Sequence, residues 1–293
     1  MKASKKLVFF GTDDFSGASL EKLLSSGWDV STVVAKPDFK AGRGQTLTKP
    51  TVKRIAEKNS VDVLQPEKLG DIASKIKSKK PDFGILAAYG KIIPPDILDL
   101  FPGGIINVHP SLLPRYRGAS PIEAAILGGD KQTGVSLMRL SEGLDEGPVY
   151  AQEVVKLSGD ENQIELSERL GDIGADLLVE KLEAIAEGWL TPKPQFDPEA
   201  TYTKLLKKED GVMDLGQPAE VLERQVRALA GWPKSRTKIH AQDVIVTKAR
   251  VAKGQEDGVL VIKCTPGYLE IQELVGPSGK TMSGADFLRG YRK

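Results

Sequence analysis

The hydrophobic positions change period several times along the chain, and each change predicts an element. Residues 6–10 form an apolar run closed by Gly11-Thr12-Asp13-Asp14, which predicts a buried first strand and a helix capped by an aspartate. Leu20, Leu23 and Leu24 fall at i, i+3 and i+4, a helical stripe that Gly27 ends. Residues 30–35 predict a second strand, 61–64 a third, 82–88 a fourth and 104–108 a fifth. Short helices through Val52, Ile55 and Ala56 and through Ile72 and Ile76 separate them. This alternation predicts an α/β fold with a Rossmann-like, doubly wound, mostly parallel sheet. Residues 122–127 predict another short helix. Residues 135–140 and 149–157 alternate as strands around the glycine-rich acidic loop 141–148, and 164–188 carry the longest helical stripe.

The pattern breaks at 190–203, which has three prolines and few aliphatic residues and predicts a linker. Beyond it, 219–230 predicts an amphipathic helix. Short alternating segments at 237–240, 244–252, 259–263 and 268–274, separated by glycines or polar turns, predict a small OB-like β-barrel. The expected division is a Rossmann-like domain at 1–188, a linker at 189–204 and a C-terminal barrel domain at 205–293. Residues 36–50 stand apart, with three lysines, one arginine, two glycines and two prolines. They predict a long exposed loop, a kind of segment that is often functional and otherwise a plain connector.

Composition narrows the classes. A hydrophobic share of 40% and a charged share of 28% over 293 residues are those of a soluble globular chain. The net charge of +1 hides an asymmetry. Residues 202–293 carry 16 Lys+Arg against 11 Asp+Glu, so the tail favours a polyanionic partner while the rest is mildly acidic. The single cysteine, Cys264, excludes an internal disulfide and a cysteine-rich metal site, and a reducing cytoplasmic setting is expected. The first apolar run is too short for a signal-peptide core, and no run is long enough to span a bilayer. The spacing of Gly11 and Gly17 does not match G-x-G-x-x-G, which argues against a nicotinamide or flavin site.

Candidate chemistry gathers at residues 104–121. Asn107 and His109 sit two apart at the end of a predicted central strand, so they share a face, and strand ends are where open α/β sheets bind ligands. Pro110, Pro114 and Pro121 forbid a regular helix immediately after, and Arg115, Arg117 and Gly118 predict a cationic, flexible loop. Imidazole moves protons near neutral pH, and an asparagine amide offers N–H donors to an oxyanion without adding charge. A carboxylate nearby, such as Asp145, would fix the histidine tautomer. With no serine or cysteine elbow, such a set suits acyl transfer to an external nucleophile. A lone histidine at a strand end is also commonly structural, and nothing in the spacing alone brings Asp145 to it. His240, in the alternating tail, reads as structural or surface.

At these residues the chain resembles the folate-dependent formyltransferases. Asn107-x-His109-x-Ser111-Leu112-Leu113-Pro114 followed by Tyr116-Arg117-Gly118, then Leu144-Asp145-Glu146-Gly147, and Ala88-Tyr89-Gly90 are similar to three motifs of that family. The start Phe10-Gly11-Thr12-x-Asp14-Phe15, the basic insertion Lys36-Pro37-Asp38…Ala41-Gly42-Arg43-Gly44 and the tail segment Gly231-Trp232-Pro233 narrow the likeness to the branch that acts on methionyl-tRNA. The resemblance implies transfer of the formyl group of 10-formyltetrahydrofolate to the α-amino group of methionine on initiator tRNA. Asn107, His109 and Asp145 would be catalytic. Tyr89, Gly90, Ser111, Leu112, Leu113 and Pro114 would line the folate pocket. Lys40, Arg43 and Lys49 would meet the acceptor end of the tRNA, with the barrel holding the rest. A monomer without metal is expected. Alternatives are another folate-dependent formyltransferase, a hydrolase that passes formyl to water, and a non-catalytic folate- or RNA-binding regulator.

Overall fold

The computed structural model, which describes residues 5–41 and 46–291, buries Leu7, Val8, Phe9 and Phe10 completely. Each such side chain contributes about 1.5–3 kcal/mol relative to exposure, which is why this run sits at the centre of a sheet. The sheet has seven strands: β1 (Lys6–Phe10), β2 (Asp29–Val34), β3 (Asp62–Leu64), β4 (Phe83–Leu86), β5 (Ile105–His109), β6 (Gln132–Arg139) and β7 (Val149–Lys156). Their order is β7-β6-β5-β4-β1-β2-β3. The pairs β1–β2, β2–β3, β1–β4 and β4–β5 are parallel, and β5–β6 is antiparallel. The expected mostly parallel α/β sheet is therefore present. The strand order reverses at β1 and β4, and β5 is the next strand out, so its C-terminal end flanks the crevice where such sheets bind ligands.

Helix α1 (Asp14–Ser25) starts where the Asp13 carboxylate accepts the Ser16 N–H at 3.2 Å. It is followed by α2 (Thr51–Lys58), α3 (Pro121–Gly128) and α4 (Gln163–Ala186). A Cβ at Gly174 of α4 would lie 2.7 Å from Val108 of β5. The glycine lets the helix press onto the strand that carries Asn107 and His109.

The described residues form two compact units. The first comprises residues to 118 with 133–155 and 167–202, and the second comprises 119–132, 156–166 and the chain from 203 onward. In the second unit α5 (Ala219–Ala228) lays Leu222 and Val226 into a core with Val244, Val246, Leu269, Ile271, Leu274 and Phe287. The strands are β8 (Ser235–Ile239), β9 (Gln242–Ala252), β10 (Val261–Lys263), β11 (Tyr268–Val275) and β12 (Thr281–Ser283), and α6 (Gly284–Gly290) follows. They pair antiparallel in the order β8-β9-β11-β10, with β12 on β11. His240 is structural here, its Nδ1 lying 2.6 Å from the Tyr291 carbonyl.

Two stretches are more ordered than their composition predicts. In the basic insertion Phe39–Ala41 pairs antiparallel with Thr46–Thr48. The proline-rich stretch is tied to the first unit as far as residue 202. Val149 and Lys193 exchange two backbone hydrogen bonds of 2.8 Å, and the Thr201 carbonyl accepts the Arg117 N–H at 2.9 Å. Among the described residues no helix is long and apolar enough to cross a membrane.

Candidate active site

Strand β5 delivers Asn107 and His109 to one place because side chains two apart share a face. Both are almost fully buried. Asp145 arrives from the loop after β6, 36 residues beyond the histidine in the chain. Its Oδ2 lies 3.7 Å from His109 Nδ1, and its Oδ1 accepts a long hydrogen bond of 3.4 Å from Asn107 Nδ2. The loop reaches this position because Gly147 lies flat on β6, where a Cβ would come within 1.8 Å of the Arg139 carbonyl oxygen.

The histidine tautomer follows from its neighbours. Nε2 lies 3.0 Å from the Tyr116 carbonyl, which can only accept, so Nε2 carries a hydrogen. Nδ1 is then the nitrogen that faces Asp145 and that has a lone pair to accept a proton. The Asp145 carboxylate is fixed from its other side by the Gly118 N–H, which donates to Oδ2 at 2.8 Å. Side-chain exposure is only 5% for His109 and 14% for Asp145, so charge arising here is poorly screened by water.

Each of the three motif segments contains one non-glycine residue with a left-handed backbone: Ala88 (φ 41°), Tyr116 (φ 59°) and Asp145 (φ 48°). Such conformations cost about 1–3 kcal/mol apiece and persist where surrounding contacts over-determine them. At Tyr116 the conformation goes with a carbonyl directed at the imidazole, and at Asp145 with a carboxylate directed into the site.

The other expected site residues are placed as follows. Ser111 to Pro114 form a turn sewn onto β6: Ser136 Oγ donates to the Ser111 carbonyl at 2.6 Å and accepts the Leu113 N–H at 3.1 Å, while Gln152 Nε2 donates to the Leu113 carbonyl at 2.9 Å. The Ser111 hydroxyl is committed to the Arg115 carbonyl at 2.6 Å. Leu113 is buried, while Leu112 and Pro114 are half-buried. The Tyr89 ring packs edge-on against Phe10 in the core, and its hydroxyl finds no partner among the described residues; burial pushes the phenol pKa up to about 12. Gly90 is exposed with φ 69°. Of the basic residues, Lys40 is exposed, Lys49 pairs with Glu57 at 2.8 Å, and Arg43 lies outside the described residues.

The sequence missed two backbone groups, the Tyr116 carbonyl and the Gly118 N–H. The Tyr-Arg-Gly triplet that supplies them was the available signal. Arg117 also differs from expectation. Instead of making the loop cationic and flexible, it is 2% exposed and donates to Gln195, Asp197 and the Tyr202 hydroxyl.

Comparisons with known proteins bear on the family and the fold of the chain. The family profile "Formyl transferase" covers residues 5–182, and "Formyl transferase, C-terminal domain" covers 205–292. The methionyl-tRNA formyltransferase of Halorhodospira halophila is 42% identical over 98% of this chain and 96% of its own length. That of Pelobacter propionicus is 37% identical over 98% and 94%. Among solved structures, an N-formyltransferase from Helicobacter canadensis with folinic acid and dTDP-3-aminofucose shares the fold at a TM-score of 0.70, with 17% identity over 91% of this chain and 98% of that one. HypX from Aquifex aeolicus with tetrahydrofolic acid does so at 0.67 and 18% identity; 99% of this chain aligns, spanning about half (48%) of that protein. By two domain profiles and full-length relatives, this chain belongs to the formyltransferase family.

Proposed function

We infer that the protein transfers a formyl group from 10-formyltetrahydrofolate to the α-amino group of methionine on initiator tRNA. The observation that carries the reading is the convergence of Asn107, His109 and Asp145 in a chain whose relatives of that activity align over its whole length. The amine forms a bond to the formyl carbon, the bond from that carbon to the donor nitrogen breaks, and one proton passes from the incoming to the departing nitrogen. The carbonyl oxygen carries negative charge in between. Asn107 offers it an uncharged N–H donor, and His109 offers Nδ1–H when protonated. Asp145 offsets the imidazolium charge and provides a second proton acceptor. Turnover requires only that protons move among these groups and the two nitrogens.

We assign the donor's flat ring to a pocket lined by Leu112, Leu113 and Pro114 and by the backbone of Gly90. The Tyr89 side chain belongs to the core, so its part in such a pocket is its backbone. We read the antiparallel sheet of the second unit as an OB-like barrel that holds the tRNA body, and Lys40, Lys49 and Arg43 as contacts to the acceptor end. The domain limits 1–188 and 205–293, a monomeric state and a cytoplasmic setting complete the reading.

The test is a formyl-transfer assay offering charged initiator tRNA, charged elongator tRNA, an amino-sugar nucleotide and water alone. Formylation of initiator methionyl-tRNA is expected. Preferential formylation of the amino sugar, or release of formate without an amine, would overturn it.

A further inference from the structure

The proline-rich strap places one side chain against the back of the candidate catalytic loop. Gln195 Nε2 donates to the Asp145 carbonyl at 2.8 Å and to the Gly147 carbonyl at 2.7 Å. Its Oε1 accepts from Arg117 Nε at 3.0 Å and Nη2 at 2.9 Å. The orientation of the amide is unambiguous, because carbonyls can only accept and guanidinium can only donate. Arg117 is itself anchored by Asp197 at 2.6 Å and the Tyr202 hydroxyl at 3.1 Å. Asp145 is thus held at both ends, its carboxylate by the Gly118 N–H and the longer contact from Asn107, and its carbonyl by Gln195. Its left-handed backbone needs such a grip, since a non-glycine residue left free there relaxes to other conformations.

We propose that Gln195, oriented by buried Arg117, is a positioning residue that holds Asp145 at its working distance from His109 and Asn107. The strap is on this view part of the catalytic apparatus. The inference rests on the reading of Asp145 as catalytic. Gln195 touches neither reacting atom and acts only through the loop, so its loss lowers turnover without removing a substrate contact. A displacement of about 1 Å in a catalytic group costs on the order of a hundredfold.

The experiment combines Gln195→Leu with Asp145→Asn in a double-mutant cycle, measuring kcat, KM for the formyl donor and for methionyl-tRNA, tetrahydrofolate binding and thermal stability. Gln195→Leu is expected to lower kcat roughly ten- to a hundredfold with both KM values little changed. In the Asp145→Asn background the same change should cost less than about threefold, because the group being positioned is already gone. Gln195→Glu keeps the acceptor for Arg117 and loses both donors. It should show the same loss, and it decides the matter if the leucine variant does not fold. Equal losses in both backgrounds, unchanged kcat, or a parallel loss of tetrahydrofolate binding would overturn the proposal. Full activity of Asp145→Asn alone would instead overturn the catalytic reading beneath it.

Discussion

Asp145→Asn separates the charge of the candidate catalytic carboxylate from its shape. In the native site Oδ2 accepts the Gly118 N–H at 2.8 Å and faces His109 Nδ1 at 3.7 Å, while Oδ1 faces Asn107 Nδ2 at 3.4 Å. An asparagine would turn its oxygen to Gly118, because that N–H must have an acceptor, and its NH₂ would then confront the Asn107 NH₂, donor against donor. The larger loss is electrostatic. A protonated His109 would no longer have an anion 3.7 Å away. At an effective dielectric of about 20, suited to side chains so little exposed, that attraction is about 4–5 kcal/mol as a ceiling. If half to all of it is realised in the transition state, kcat falls roughly 30- to 2,000-fold. KM for the donor should stay within about threefold, since the lost interaction belongs to the charged transition state rather than to ground-state binding. Single-turnover formyl transfer with saturating methionyl-tRNA measures the chemical step directly. A folded variant with unaltered thermal transition and kcat within about fivefold of the parent would refute the argument, because that is about 1 kcal/mol or less, under half of the attraction at stake.

Three further outcomes follow from the structure. Tyr89→Phe removes a buried hydroxyl with no partner among the described residues, so stability should rise by about 1 kcal/mol with donor KM unchanged; a weakened donor would show that the phenol reads the ligand. Glu161 is partly buried, which opposes its charge, yet the N–H groups of Ser158 and Gly159 hold its carboxyl down to about 2. A lowered folded-state pKa gives stability that is present above the ordinary value of 4.5 and lost as pH falls through about 2. Glu161→Gln should therefore cost about 1 kcal/mol at neutral pH, after allowance for solvent screening, and much less at pH near 2, read from denaturant melts across that range. Lys40→Ala should reduce the salt dependence of methionyl-tRNA binding by a slope of about 1, while Lys49→Ala should change it less because Glu57 already offsets that charge; equal slopes in both variants and the parent would remove the insertion from the RNA surface.

The parts of this protein that were legible in its sequence share one property: a local constraint. The buried run of β1, the helical stripe of α1 and the two-residue step from Asn107 to His109 are fixed by periods of the backbone, and a period is visible in one dimension. The short strand Thr281–Ser283 and the helix Pro95–Leu98 are too brief to show one. The pairing of Phe39–Ala41 with Thr46–Thr48 is hidden by the lysines and glycines of the insertion. Asp145 is legible only through family resemblance, because nothing in 36 intervening residues dictates that a loop carboxylate returns to the strand end.

Arg117 and Gln195 show why the positioning contacts resisted altogether. An arginine between a tyrosine and a glycine reads as surface charge, and a glutamine among prolines reads as linker. Each acquires meaning only from the other, 78 residues away. Burying a guanidinium costs several kcal/mol unless its donors are met, so the buried Arg117 demands partners, and the polar strap supplies Gln195, Asp197 and Tyr202. The polarity that made the strap look like a connector is the property that lets it satisfy that demand. Residues that perform chemistry are at least restricted in type by the reaction, as Asn107 and His109 are. Residues that hold them are restricted only by what they must touch, and for Gln195 those are main-chain oxygens of Asp145 and Gly147, which carry no side-chain identity for a sequence to display.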